Sequence, residues 1–142
     1  MTPIAIFDLD GTLANVAHRL HLLDGTFVGF HRFHAACIDD TLNSKVAEVA
    51  KALNQAGNAF WVATGRPIEM EAITRYWFHA YCVVPDRILM RPVGDTRTSA
   101  EVKRAWLRDG TIPRERVLCA FDDRDVAMWR SEGLTCFEVA CA

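Results

Sequence analysis

Residues 4–13 read IAIFDLDGTL: an apolar run from Ile4 to Phe7 stops at Asp8, and Asp10 follows just before Gly11 and Thr12. A short apolar run closed by a turn signal is the pattern of a buried strand. If the strand simply continued, Asp8 and Asp10 would point to the same face. A strand tip holds a charged group rigidly. Two carboxylates placed there ask for a cation or a shared proton. A hydrogen-bonded turn cap would explain a lone Asp-x-Asp equally well.

A second strand end shifts the balance. Arg116 to Phe121 (RVLCAF) is a strand candidate that runs into Asp122-Asp123. Carboxylates converging from both tips would repel one another strongly. A hard divalent cation removes the conflict, and Mg²⁺ suits it best, with substrate phosphate oxygens completing the shell. A third apolar run, Ala59 to Ala63 (AFWVA), leads into Thr64-Gly65-Arg66-Pro67. Pro67 suits the first turn of a helix running to about Tyr81. The Thr64 hydroxyl and nearby N–H groups would then form an anion site at a helix N-terminus. Taken alone, the same residues make an ordinary N-cap.

The remaining elements alternate. Asp39, Asp40 and Thr41 look like a helix start, with Val46, Val49, Ala50 and Leu53 as an apolar stripe and Gly57 as the stop. Arg87 to Met90 is a further strand, Ser99 caps a helix through Arg108, Asp125 to Glu132 is helical, and Leu134 to Val139 is a last strand. The stretch from Ala14 to Ile38 has no clear period, although FHRFHAAC within it reads as an amphipathic helix with Phe30, Phe33 and Cys37 inward. Strands alternating with helices imply parallel βαβ crossovers. In such sheets ligands bind at the carboxyl ends of the strands. Asp8, Thr64 and Asp122 each follow an apolar strand, so all three are expected at one sheet edge. Lys103, on the helix expected from Ser99 to Arg108, supplies a cation.

The totals exclude several classes. The 142 residues suit one domain, residues 1–142, and the composition (51% apolar, 24% charged) is that of an ordinary globular protein. A net charge of −2 does not suggest an extended grip on nucleic acid. Recognition of one phosphorylated end would need only a few local basic residues. Cys37, Cys82, Cys119, Cys136 and Cys141 form no C-x-x-C pair, and their odd number points to free thiols in a reducing cytosol. No leader or membrane-spanning run is expected. His18-x-x-His21 and His31-x-x-His34 have no acidic or cysteine partner placed with them, so they do not read as a zinc site. Trp61, Trp77, Trp106 and Trp129 fall on expected elements and read as core.

The ordered set DLDGTL, ATGRP, Lys103 and FDDRD resembles the four motifs of the haloacid dehalogenase (HAD) superfamily of phosphotransferases, and it spans almost the whole chain. The resemblance implies an α/β, three-layer Rossmann-like fold with a central, mostly parallel sheet. The chain has no room for a large cap domain, so an open site is expected. The resemblance also implies roles. Asp8 would be the nucleophile and form an aspartyl phosphate. Asp10 would protonate the leaving oxygen and later take a proton from water. Thr64 and Lys103 would bind phosphoryl oxygens. Mg²⁺ would be held by Asp8, the Asp10 carbonyl, and Asp122 or Asp123.

A narrower resemblance lies in DGTLANVAHR, GDTRTSAEVKRAWL and FDDRDVAMWRSEGLTCFEVA, which are similar to the 3′-phosphatase domain of phage polynucleotide kinase–phosphatases. It implies substrate contacts from Arg19, Gly65, Arg66, Asp95 and Arg97, and a phosphorylated nucleotide or polynucleotide 3′-end as substrate. It also implies a bacterial or phage-infected cytosol, with a separate kinase or ligase partner or a homo-oligomer both compatible. No G-x-x-x-x-G-K-[ST] phosphate loop is present, so the likeness is to the phosphatase half alone. Two alternatives stay open at this point: a small-molecule or 5′-nucleotide phosphatase of the same superfamily, and a binding or regulatory module on an inactive HAD fold.

Overall fold

Strand β1 (Ile4–Phe7) is buried on both faces. Ile4 and Ile6 belong to one apolar cluster, Ala5 and Phe7 to another. Successive strand side chains point to opposite faces, so this alternation divides the protein into two cores either side of a sheet. The computed structural model describes residues 1–140. After β1 come β2 (Ala14–Asn15), a 3₁₀ turn (Ala17–Leu22), α1 (Phe27–Ala35), a second 3₁₀ turn (Ala36–Asp39) and β3 (Thr41–Leu42). Then follow α2 (Ser44–Gln55), β4 (Ala59–Pro67), α3 (Glu71–Ala80), β5 (Arg87–Arg91), α4 (Ser99–Arg108), β6 (Val117–Asp122), α5 (Val126–Ser131) and β7 (Cys136–Glu138).

The sheet has five strands in the order β5-β4-β1-β6-β7, and every pairing is parallel. Ala47 and Ala50 of α2 and Trp77 and Phe78 of α3 cover the face carrying Ala5 and Phe7. Val102, Trp106 and Leu107 of α4, with Val126, Met128 and Trp129 of α5, cover the face carrying Ile4 and Ile6. This is the three-layer α/β architecture expected. The chain moves outward from β1 through β4 to β5, then returns to β6 on the other side of β1. That reversal opens a crevice at the carboxyl ends of the central strands. Between β1 and β4 the described chain holds the small antiparallel β2–β3 pair and the helical stretch from Ala17 to Asp39. Among the described residues, no helix is long and apolar enough to cross a membrane. All four tryptophans are buried.

Several local expectations need correction. The helix expected from Asp39 begins instead at Ser44, because Thr41 and Leu42 pair with Asn15 and Ala14 and the Asn43 N–H donates to Leu13 O at 2.8 Å. Val49, expected on the apolar stripe, is exposed. The segment Thr64 to Pro67 is not a turn into a helix. It continues β4 past a register shift until Pro67 pairs with Arg91, and α3 starts only at Glu71. Besides the start of α5 at Asp125, the helix N-terminus lining the carboxyl-edge crevice is that of α4. Its cap is Thr98 rather than Ser99, in a capping box with Glu101. Phe33 and Cys37 turn inward as expected, but Phe30 remains 40% exposed.

Candidate active site

Asp8 stands one residue past β1, Thr64 lies in β4 beyond its regular pairing, and Asp122 ends β6. A cavity of about 610 Å³ opens there, and its lining includes Asp8, Asp10, Thr64, Gly65, Arg66, Asp122 and Asp123. The sheet-edge convergence expected from the three strand ends is what the fold delivers. The turn after Asp10 uses Gly11 at φ 87°, a left-handed conformation that glycine adopts without strain. Gly65 is needed for a different reason. A Cβ there would lie 2.9 Å from Ser99 Oγ, so only glycine lets β4 and the start of α4 approach this closely.

Two charged networks meet at this edge. In the first, Lys103 is fully buried and its Nζ donates to Asp8 (3.0 Å), Asp122 (2.8 Å) and Asp125 (2.8 Å). All three ammonium protons are thereby committed. Thr12 Oγ1 donates to Asp8 at 3.2 Å, Trp129 Nε1 donates to Asp122 at 2.9 Å, and Ser99 Oγ donates to Asp125 at 2.8 Å. Burial pushes the Asp8 carboxyl well above the usual range, against the pull of Lys103 and with help from Asp122 and Asp123. Burial acts the same way on Asp122, but Lys103 and the Trp129 hydrogen bond outweigh it and hold that carboxyl below the usual range. Ligand oxygens of Asp8, Asp122 and Asp123 lie within 4.8 Å of one another, the one such group among the described residues.

In the second network, Arg19 and Arg66 both donate to Asp10 Oδ1, Arg19 at 2.8 Å. Arg19 also donates to Asp40 through Nε and Nη2, each at 2.8 Å, and to Phe33 O. Arg66 reaches Thr74 Oγ1 at 2.9 Å and Asp40 at 3.5 Å. Trp77 Nε1 donates to Asp40 O at 2.8 Å, which ties the network to α3. Burial raises the proton affinity of Asp10, yet Arg66 and Arg19 overcome it and leave the carboxyl below the usual range.

The remaining expected site residues sit as follows. Thr64 Oγ1 accepts from the Arg66 N–H at 3.0 Å, which leaves its own proton for another acceptor. Arg66 lines the cavity, and its buried Nε has no hydrogen-bond partner. Arg19 does not line the cavity; it is wholly buried and committed to Asp10 and Asp40. Asp95 and Arg97 pair with each other at 2.6 Å and lie off the cavity lining. Arg97 holds the Asp95 carboxyl down at about 2. Their loop is nonetheless tied to the site, because Arg91 donates to Gly65 O at 2.8 Å and to the carbonyls of Asp95 and Arg97. The cavity is also less open than expected, because Val16, Leu20, Leu23, Phe30, Phe33 and His34 wall one side of it.

A profile of the polynucleotide kinase PNKP phosphatase domain matches residues 2–142. The chain belongs to this family of HAD phosphatases. Two structures of the Pnkp1/Rnl/Hen1 complex contain a similar chain at 29% identity. In one the TM-score is 0.83, covering 98% of this phosphatase and 46% of that chain. In the other, titled as an RNA repair complex, it is 0.84, covering 98% and 42%. The phosphatase thus spans less than half the length of those chains. A predicted phosphatase from Clostridium acetobutylicum shares the fold, with a TM-score of 0.74 at 16% identity over 100% of this chain and 86% of that one. No curated protein matches.

Two residues of this phosphatase's charged networks, Asp40 and Asp125, and one of the cavity wall, His34, escaped the sequence reading. Asp40 and Asp125 were placed at helix starts, where acidic residues are common. For Asp125, its position three residues after Asp122 was the available signal. Asp40 carried none, because its partners Arg19 and Arg66 are 21 and 26 residues away in sequence. His34 lies within the stretch read as an amphipathic helix, where a histidine carries no local sign that its ring is buried.

Proposed function

We propose that this HAD phosphatase is a Mg²⁺-dependent phosphomonoesterase that removes 3′-phosphates from nucleotide or polynucleotide ends. We take residues 1–142 as one phosphatase domain acting in a reducing cytosol. The observation that carries the chemistry is the convergence of Asp8, Asp10, Thr64 and Asp122-Asp123 on one cavity. The 3′-end preference rests on the family and on the likeness to chains of an RNA repair complex. Those complexes are multi-protein assemblies, which supports a separate kinase or ligase partner; self-association is the alternative.

In this proposal the Asp8 carboxylate attacks phosphorus in line. An oxygen–phosphorus bond forms on Asp8 as the ester bond breaks. Asp10 donates a proton to the leaving oxygen and takes one from the water that hydrolyses the aspartyl phosphate. Inorganic phosphate leaves and Asp8 is restored. The two guanidiniums keep Asp10 ionised at rest; an arriving phosphate dianion raises its proton affinity, so in this proposal Asp10 takes up a proton from solvent as substrate binds, gives it to the leaving oxygen, and is re-protonated by the attacking water. Thr64 offers its hydroxyl proton and Arg66 its Nε–H to the phosphate. A phosphoryl oxygen can join Lys103 by displacing one of its three carboxylates.

The donor set fits Mg²⁺: clustered carboxylate oxygens, with three carboxylates around Lys103 against a single ammonium. Asp8, Asp122, Asp123 and the Asp10 carbonyl would hold the ion, which when bound withdraws charge from the phosphate and lets it approach Asp8. Free thiols at Cys37, Cys82, Cys119 and Cys136 support the cytosolic setting, while Cys141 lies outside the described residues.

The test is kcat/KM with Mg²⁺ for four substrates: a 3′-phosphorylated oligonucleotide, its 5′-phosphorylated counterpart, a 3′-mononucleotide and a 5′-mononucleotide. The 3′ substrates are expected to lead. Faster turnover of a 5′-phosphate would leave only the general phosphatase standing.

A further inference from the structure

The cavity has two chemically distinct sides. One carries the carboxylates, Thr64 and Arg66. The other is the wall built from the 3₁₀ turn and α1, where Leu20 is 49% exposed, Leu23 44% and Phe30 40%, backed by buried Phe33 and His34. Phe30 and His34 meet edge-to-face at 4.5 Å between ring centroids, and Phe33 and His34 at 5.1 Å. His34 Nδ1 is buried without a hydrogen-bond partner. Burial drives its imidazole down to about 4, so the ring is neutral at physiological pH. An apolar aromatic wall with one unspent neutral polar atom is poorly suited to a backbone phosphate. It suits a flat heteroaromatic ring, which packs on aromatic and aliphatic faces and offers edge atoms for a hydrogen bond.

The reaction geometry says what reaches this wall. The leaving oxygen must lie beside Asp10, because Asp10 protonates it in the proposed mechanism. His34 is close enough to Asp10 to feel its charge. The organic part of the ester is therefore delivered toward the aromatic wall while the phosphate faces Asp8. The cavity volume, about 610 Å³, lies within the range that encloses a small ligand.

We propose that the wall of Leu20, Leu23, Phe30, Phe33 and His34 holds the base of the terminal nucleotide whose phosphate is presented to Asp8. This rests on the 3′-phosphatase reading and adds a base subsite to it. The site then grips a nucleoside rather than a run of backbone, in keeping with the near-neutral charge of the chain.

The test compares short oligonucleotides whose phosphorylated terminal residue either bears a base or is abasic, in both 3′- and 5′-phosphorylated forms, with the wild-type protein, Phe30→Ala and Phe30→Trp. The wild type should prefer the base-bearing 3′ substrate over its abasic counterpart by about 10-fold in kcat/KM, the scale of one base–aromatic contact. Phe30→Ala should bring that ratio close to one, and Phe30→Trp should keep it. Phe30 is part-exposed, so the Ala variant is expected to fold, with its melting curve as the check. Equal wild-type turnover of abasic and base-bearing 3′ substrates would overturn the base subsite and leave the 3′ reading intact. So would a Phe30→Ala variant that slows both equally. A base preference of the same size on 3′ and 5′ substrates that are hydrolysed equally well would support the subsite and remove the 3′ reading.

Discussion

Asp8 and Asp10 are two residues apart, both at the edge of one cavity, yet their carboxyls are driven in opposite directions. Around Asp8, one lysine is shared among three carboxylates in a buried setting, and the carboxyl is pushed up. Around Asp10, two guanidiniums are shared between Asp10 and Asp40, the charges balance, and the carboxyl is held down. The excess negative charge on the first side is what a divalent cation would complete. The second side is complete within the protein. The division between the two surroundings follows the sheet. Lys103, Asp122, Asp125 and Trp129 belong to the α4–α5 side, while Asp40, Thr74 and Trp77 belong to the α3 side.

Substitutions should respect this division. Asp8→Asn removes the proposed nucleophile and is expected to lower kcat by at least ~10³-fold with little change in melting temperature. Parent-like single-turnover phosphate release would show that Asp8 is not the attacking group. Chelation should act on the Asp8 side alone: EDTA abolishes activity, Mg²⁺ restores it, and Ca²⁺ inhibits because its looser shell misplaces the phosphate. Retained turnover in EDTA would end the metal role proposed for Asp122 and Asp123. Asp10→Asn removes the proton carrier and should cost at least ~10²-fold in kcat. An activated ester with a good leaving group should recover part of that loss in the first step.

Arg19→Ala should differ in kind. It leaves Asp40 buried with only part of its positive partnership, so about 3–5 kcal/mol of stability should be lost in urea denaturation. An unchanged denaturation midpoint would mean that Arg66 and His18, whose Nε2 lies 2.6 Å from Asp40 Oδ1, suffice for Asp40. One pH effect concerns His34. Its folded form binds a proton only near 4, against about 6.5 in an unfolded chain. The unfolded state therefore takes up a proton first as pH falls. This contribution is fully present above pH 6.5 and is lost progressively toward pH 4, by about 2 kcal/mol between 6.5 and 5. His34→Gln should flatten that part of the profile. Arg97→Ala removes an exposed pair and should move stability by less than about 1 kcal/mol.

The site was legible where local pattern and function coincide. Asp8, Thr64 and Asp122 each close an apolar run, and the carboxyl-edge rule for parallel sheets brings them together without any knowledge of side-chain packing. Lys103 required the motif order, because a lysine on a helix carries no local sign of burial. Arg19 shows the limit. Its sequence neighbourhood resembles a substrate-contacting position, but its ordering by Asp40 and the Phe33 carbonyl is a tertiary event. The segment Thr64 to Pro67 failed for a related reason: proline at a helix start is a strong local signal, and pairing with Arg91 overrode it. The aromatic wall was missed because a short 3₁₀ turn followed by an α-helix gives no single period.

The two-cored sheet has a consequence for how such an enzyme can be retuned. Among the described residues, β1 is the only strand hydrogen-bonded to both β4 and β6, and the segment that leaves it carries Asp8 and Asp10, the two carboxylates proposed to react, each tied to a different helical layer. A change beneath Trp77 on α3 reaches Asp10, the proposed proton donor, through Asp40 and the arginines. A change beneath Trp129 on α5 reaches the cation side through Asp122. Under the proposed mechanism, drift in one layer can therefore shift the acidity of Asp10 while the carboxylates proposed to hold the metal stay as they were, and the reverse holds equally. The fold offers two separate adjustments for one reaction.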